Sequence, residues 1–175
     1  MPELPEVETT MRGLAAIITG QRLSRVEARR PDLRFPLPPD FAARMQGQTV
    51  RRIDRRAKYM LARLDGGLTW LTHLGMSGRM MVGQGPAPEP AKHDHIIIET
   101  DGGGYAVYQD PRRFGFMDLF PTSEEASHPR LVSLGMEPLS GLTPAKLKAM
   151  LAGKSSSIKA ALLDQRLIAG LGNIY

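Results

Sequence analysis

"TVRRIDRRAKYMLARLDGGLTWLTHLGMSGRMMV", residues 49–82, is the stretch that decides the fold. Short runs rich in β-branched, aromatic and long apolar side chains alternate with turn signals, and the Gly66-Gly67 pair reads as a hairpin turn. Before it, the run RLSRVEAR from Arg22 has the same texture. After it comes a Pro/Gly-rich loop, GQGPAPEPA, spanning Gly83 to Ala91. Strands then follow at HIIIET and YAVYQ across an Asp101-Gly102 turn, and a last one at FMDLF. Strands at this spacing predict an antiparallel sandwich or barrel.

Both flanks are helical. In MPELPEVETT and the residues after it, Val7, Met11, Leu14 and Ile18 form one stripe of a helix that begins near Glu3 and closes at Gly20. Pro5 suits a first turn, and Glu6 and Glu8 complement the positive end of the helix dipole. After Pro121, Thr143-Pro144 starts a helix with a stripe at Leu147, Met150 and Leu151, ended by Gly153. A second starts after Ser155–Ser157, continues through Ile158, Ala161, Leu162 and Gln165, and is broken by AGLGN at 169–173. An apolar helical pair followed only by Tyr175 lacks a covering partner, so a fragment with a divided helical module is expected.

The 175 residues contain no cysteine, which excludes disulfides, thiolate catalysis and Cys-ligated zinc within them. A formal charge of +5, with RRIDRRAK at 51–58 and PRRFG at 111–115, favours a polyanionic partner, although a charge run alone also describes a solvated face. No apolar run approaches the roughly 18 residues of a membrane span, and an acidic start is the wrong flank for a signal peptide. A cytoplasmic location and no membrane partner are expected.

Four motifs can carry chemistry. Removal of Met1 frees a secondary amine at Pro2, which titrates near ~8 and can attack an aldehyde-like carbon to give an iminium. Glu3 and Glu6 stand where such a nucleophile needs a proton donor or acceptor. Lys58 enters a strand whose two faces, Tyr59 and Leu61 against Met60, Ala62 and Leu64, are both apolar. Its ammonium has a job there, or it snorkels from the strand end. Met76, between Gly75 and Gly78, suits an apolar wedge between base steps as well as ordinary packing. His93 and His95 share a strand face with Ile97, a weak signal for a metal pair, and no metal is assigned to this chain. Arg112, Arg113 and Phe114 form a loop tip fit for phosphate contact and base stacking.

Six motifs in this order, MPELPEVET at the start, RRAKY around Lys58, HLGMSG around Met76, KHDH at 92–95, DPRRFG at 110–115 and GNIY at the end, resemble the formamidopyrimidine-DNA glycosylase family. The related endonuclease VIII branch shares the fold without the PELPEVET wording or the RRFG loop. The resemblance implies an α+β protein. An N-terminal helix plus an antiparallel β-sandwich catalytic domain would occupy 1–121, and the start of a helix-two-turn-helix module 122–175. It implies a bifunctional base-excision repair enzyme that removes oxidised purines, 8-oxoguanine and formamidopyrimidines, from double-stranded DNA and then cuts the strand by β,δ-elimination. By that resemblance Pro2 is the Schiff-base nucleophile, Glu3 the acid/base at the sugar, Glu6 a supporting carboxylate, and Lys58 acts near phosphate and base. Met76, Arg112 and Phe114 fill the gap left by a flipped nucleotide. His93, Asn173, Lys159 and Lys154 meet phosphates. The family's four-cysteine zinc hairpin lies C-terminal to these motifs, so zinc is expected in the full-length protein and no cofactor in this chain. A monomer is expected, and the fragment alone is expected to be weak or inactive. The alternatives are a non-catalytic nucleic-acid-binding module and, ranked lower, an amino-terminal-proline tautomerase, in which a strand rather than a helix would follow the proline.

Overall fold

The computed structural model describes residues 1–175. The first helix, α1, runs Leu4–Ile18 and carries Pro5 in its first turn, where no intrahelical N–H is needed. Leu4, Val7, Leu14 and Ile18 are buried. At roughly 1.5–3 kcal/mol each, their burial contributes about 6–12 kcal/mol, which matters because an isolated helix this short is marginal in water.

Eight strands follow: β1 (Leu23–Ala28), β2 (Val50–Arg56), β3 (Tyr59–Leu64), β4 (Leu68–His73), β5 (Arg79–Gln84), β6 (Asp94–Thr100), β7 (Gly104–Gln109) and β8 (Phe116–Pro121). They form two antiparallel sheets, β1-β6-β7-β5 and β2-β3-β4-β8. Val26, Ile96, Ile98, Ala106 and Tyr108 of the first sheet meet Ile53, Met60, Ala62, Trp70 and Leu119 of the second in one core of 21 buried residues. The architecture is therefore a sandwich and not a closed barrel. Helix α1 lies across edge strands β2 and β5, and α2 (Phe41–Met45) lies on β1. Covering sheet edges in this way removes unpaired backbone from solvent.

Register explains why residues 59–64 read as apolar on both faces. Met60, Ala62 and Leu64 point into the main core, while Leu61 joins Leu71, Phe116 and Phe120 in a second cluster on the outer face. The same pairing sets Tyr59 opposite His73, and His73 opposite Phe116. The beginning of β3, the end of β4 and the beginning of β8 therefore share one end of the sheet. Two crossovers leave that end side by side, residues 74–78 from β4 to β5 and residues 110–115 from β7 to β8.

The structure departs from the sequence pattern at four places. Residues 49–64 are two strands joined by a tight turn, so Lys58 sits on a hairpin turn and not within a strand. Strand β5 extends to Gln84, so the Pro/Gly loop starts at Gly85. His95 lies in β6, whereas His93 precedes it. Finally, α3 (Pro144–Leu151) and α4 (Ile158–Leu163) form with the expected caps, Thr143 Oγ1 accepting from Lys146 N–H at 3.2 Å and Ser157 Oγ from Ala160 N–H at 3.1 Å. However, α3 buries none of its residues, and α4 stops before Gln165.

Candidate active site

The amino end of α1 is enclosed by the last residues of the chain. Glu3 is wholly buried, and its two carboxylate oxygens accept the N–H groups of Ile174 (2.7 Å) and Tyr175 (3.2 Å). Glu6 reaches back to the Glu3 N–H at 3.0 Å and accepts the Tyr175 hydroxyl at 2.8 Å. The Tyr175 hydrogen bond, then that backbone N–H, hold the Glu6 carboxyl below its ordinary value. Close approach requires a glycine at 172, because a Cβ there would lie 2.4 Å from Glu3 Cδ.

Lys58 is delivered by the β2–β3 turn, in which Ala57 has φ +54°. A non-glycine residue in this region costs about 1–2 kcal/mol, and a charged network holds it. Glu137 accepts the Ala57 N–H and pairs with Arg55 at 2.9 Å and Arg56 at 3.1 Å. Arg55 also donates to the Ala57 carbonyl at 2.8 Å and pairs with Glu8 of α1 at 2.9 Å, which ties the turn to the helix. Partial burial pushes the Lys58 ammonium down, against the pull of Glu3.

His73, at the end of β4, accepts the Gly75 N–H on Nδ1 at 3.1 Å and stacks on Phe116 with ring centres 5.1 Å apart. Burial, then the charges of Lys58, Arg130 and Arg34, push it down to about 4. It is therefore neutral at pH 7, with its proton assigned to Nε2. Pro2, Lys58, Tyr59, His73, Arg130 and Asn173 line one open cleft of about 520 Å³ at this point.

Beside the cleft, the two crossover loops are welded together by Asp110, which is wholly buried. One carboxylate oxygen accepts from Ser77 Oγ (2.6 Å) and Arg113 N–H (3.0 Å), the other from Tyr108 OH (2.8 Å) and Gly115 N–H (2.9 Å). Burial and the Asp110 charge push the Tyr108 phenol up, so it stays a donor. Gly75, at φ +63°, touches the backbone of Phe114 and Gly115 so closely that a Cβ would lie 2.4 Å from both. From this platform Met76 and Phe114 stand out at 39% and 41% exposure, and the Arg112 guanidinium covers the Phe114 ring at 4.6 Å. These large apolar side chains, held out on the loop pair, are not spent on the core.

The profile of the formamidopyrimidine-DNA glycosylase N-terminal domain matches residues 1–117. The chain belongs to the formamidopyrimidine-DNA glycosylase family. Formamidopyrimidine-DNA glycosylases of Rhodospirillum centenum and Gluconobacter oxydans are 55% and 54% identical over all of this chain, which spans 64% of the length of each. Among solved structures, Lactococcus lactis Fpg in complex with abasic-site DNA superposes with a TM-score of 0.87 at 34% identity, covering 99% of this chain and 65% of that one. A complex of the same protein with Fapy-dG-containing DNA gives 0.85.

Within this glycosylase-family frame, the expected site residues fall into three groups. Pro2, Lys58 and Asn173 line the cleft, with Glu3 and Glu6 directly behind Pro2. Met76, Arg112 and Phe114 share the loop platform, and Lys159 joins Asn173 in an adjoining groove of about 360 Å³ with Tyr175. His93 and Lys154 line neither space. The His93 and His95 rings lie 6.4 Å apart, but His95 is committed to the Asp110 carbonyl at 2.9 Å, and no group of three or more His, Asp or Glu side chains could hold a metal. These residues therefore do not fit zinc, and no chemistry here runs through it.

The structure adds His73, Tyr59, Asp110, Arg130, Glu137 and Gln165 to the residues that build the site. Gln165 spans the turn after α4, donating to the carbonyls of Leu163 (3.1 Å) and Leu171 (2.9 Å) and accepting the Gly170 N–H at 2.7 Å. His73 and Asp110 lie inside quoted motifs, HLGMSG and DPRRFG, and their position beside glycine turns was the available signal. The roles of Glu137 and Arg130 are long-range and had none.

Proposed function

We propose that the full-length protein is a bifunctional DNA glycosylase and abasic-site lyase of base-excision repair, acting on double-stranded DNA that contains an oxidised purine. The observation that carries the reading is the placement of Pro2, on the tip of α1, in the cleft shared with Lys58, His73 and Asn173, with buried Glu3 behind it. While Met1 is attached, the Pro2 nitrogen is an amide, so the chemistry requires its removal. The freed amine faces the positive end of the helix dipole and a lysine, both of which favour its unprotonated form.

In the proposed reaction the Pro2 nitrogen bonds to C1′, the glycosidic C–N bond breaks, and its electron pair leaves with the base, which takes up a proton. The amine loses its proton, the C1′–O4′ bond breaks and O4′ takes up a proton, which opens the sugar ring to an iminium that acidifies the C2′ proton. Loss of that proton expels the 3′ phosphate, and a second elimination expels the 5′ phosphate. Glu3 serves as acid/base at the sugar, Glu6 supports the helix start, and Lys58 acts beside phosphate and base. Flipping the nucleotide costs a few kcal/mol, which Met76, Arg112 and Phe114 offset by filling the gap. Asn173, Lys159, His93 and Lys154 contact phosphates.

Residues 1–121 form the catalytic domain in this reading, and residues 122–175, with α3 and α4, begin a helix-two-turn-helix module. A four-cysteine zinc hairpin completes the full-length protein, which acts as a monomer on chromosomal DNA in the cytoplasm.

Borohydride trapping tests the reading. A covalent adduct is expected between full-length protein and an 8-oxoguanine duplex, and it is lost in Pro2→Gly or when Met1 is retained. Absence of any adduct with the full-length protein overturns the proposal, and tight duplex binding without an adduct favours a non-catalytic nucleic-acid-binding module instead.

A further inference from the structure

Arg130 is the only arginine lining the cleft. It forms no ion pair, and its guanidinium donates no hydrogen bond within the chain. Two aromatic rings hold it instead. Its Cζ lies 4.8 Å from the centre of the Phe35 ring and 4.7 Å from that of Phe116. Phe116 in turn stacks on His73, so Phe35, Arg130, Phe116 and His73 form a continuous pile running from the surface into the cleft. Phe35 is 38% exposed, and a second cation without a carboxylate partner, Arg34, which lies outside the cleft in the groove beside Arg112 and Phe114, covers it at 5.4 Å.

This arrangement has a chemical logic. A guanidinium is weakly hydrated on its faces and stacks on aromatic rings, while its N–H edge keeps five donors in a rigid fork that matches a phosphate. Holding the faces against rings while leaving the edge unspent fixes the fork before any ligand arrives. Most of the chain's arginines near acidic groups behave otherwise: Arg55, Arg56 and Arg63 all end on carboxylates. A fixed cation without a counter-ion, on the same cleft wall as Lys58 and His73, fits an anion that belongs to the bound molecule.

We propose that Arg130 binds a backbone phosphodiester of the DNA strand whose nucleotide occupies the cleft, with Phe35 and Phe116 orienting its guanidinium. The proposal rests on the reading of the cleft as a DNA glycosylase site. It extends the DNA path from the mouth of the cleft toward the Arg34-Phe35 loop.

The test compares full-length wild type, Arg130→Ala, Arg130→Gln and Arg130→Lys on a duplex with an abasic-site analogue, measuring Kd across a salt series. Loss of one phosphate contact lowers the slope of log Kd against log salt by about 0.9. In the Ala and Gln variants that change is expected together with roughly tenfold weaker binding at low salt, the scale of a charge-assisted hydrogen bond. Arg130→Lys keeps the charge and hence most of the slope. An unchanged slope in both Ala and Gln variants overturns the proposal, even if affinity falls, since it would leave only a packing role. A wild type that binds an 8-oxoguanine duplex without forming a borohydride-trapped adduct refutes the glycosylase reading instead, and the slope comparison still stands by itself.

Discussion

Replacing Asp110 by alanine should separate the stability of the loop platform from the chemistry of the cleft. The carboxylate accepts four hydrogen bonds, and two of the donors, Tyr108 OH and Gly115 N–H, are buried. Each buried donor left without a partner costs about 1–3 kcal/mol, while Ser77 and Arg113, nearer solvent, recover theirs from water. Removing a buried charge that has no ion-pair partner offsets part of this loss. The net expectation is a destabilisation of about 2–4 kcal/mol, or a fall in Tm of roughly 4–16 °C for a chain of this size. The loop pair should also lose its fixed form, because Arg112 N–H bonds to the same Ser77 hydroxyl that Asp110 holds. Affinity for a duplex with an abasic-site analogue is then expected to drop about tenfold, the scale of one lost base-stacking contact. Adduct formation at saturating DNA should change little, since Pro2, Glu3 and Lys58 are held by other elements. Urea unfolding and a trapping assay report the two effects. A stability within about 0.5 kcal/mol of wild type would refute the idea that Asp110 welds the loops.

Two further outcomes follow from the geometry. His73 titrates at about 4 in the folded chain against 6.5 unfolded, so the unfolded state takes up the proton first. Stability from this group is complete above pH 6.5 and is lost as pH falls toward 4, by about 2–3 kcal/mol. Urea midpoints between pH 7.5 and 4.5 should show that loss in wild type and a flatter dependence in His73→Phe, and identical dependence in both would exclude His73 as its source. Gly172→Ala places a methyl 2.4 Å from Glu3 Cδ, and a wholly buried Glu3 cannot retreat. Overpacking should cost about 1–3 kcal/mol and slow adduct formation at saturating DNA, and a wild-type rate there would refute the placement of Glu3 behind the nucleophile.

What could be read from the sequence is what is local. The hairpin at Gly66-Gly67 was legible because Gly67, at φ +83°, occupies a conformation that other residues avoid, and the glycine advertises it. The start of α1 was legible because Pro5 and Glu6 act within one turn of each other. The hairpin at Ala57-Lys58 carries no such residue. Ala57 adopts a positive φ only because Glu137, eighty positions away, captures its N–H, and no window of sequence contains that cause. Asp110 looks like an ordinary turn residue before a proline until Ser77, 33 positions earlier, is seen to bond to it. The same holds for the neutral state of His73, which arises from burial against Tyr59 of β3 and Phe116 of β8 and from the charges of Lys58, Arg130 and Arg34. The half-covered stripe of α3 shows the converse limit, since periodicity reports which face can be buried and not what buries it.

The arrangement of charges at the cleft also accounts for why the functional carboxylates and cations do not neutralise one another. Glu3 could have been held by a lysine or arginine, and an ion pair would have fixed it equally well. Instead its oxygens are satisfied by two backbone N–H groups from Ile174 and Tyr175, which leave the carboxylate able to exchange a proton without first breaking a salt bridge. The ion pairs are placed one layer out, where Glu8 and Glu137 lock Arg55 and Arg56 and thereby hold the Lys58 turn against the helix. Lys58 and Arg130 themselves remain unpaired on the cleft wall. Fixed neutral donors around the acid, structural ion pairs behind the turn and free cations at the mouth form an electrostatic gradient. In the proposed reaction such a gradient draws in an anionic strand while disfavouring a proton on the Pro2 amine once Met1 is removed, the combination that Schiff-base chemistry on DNA requires.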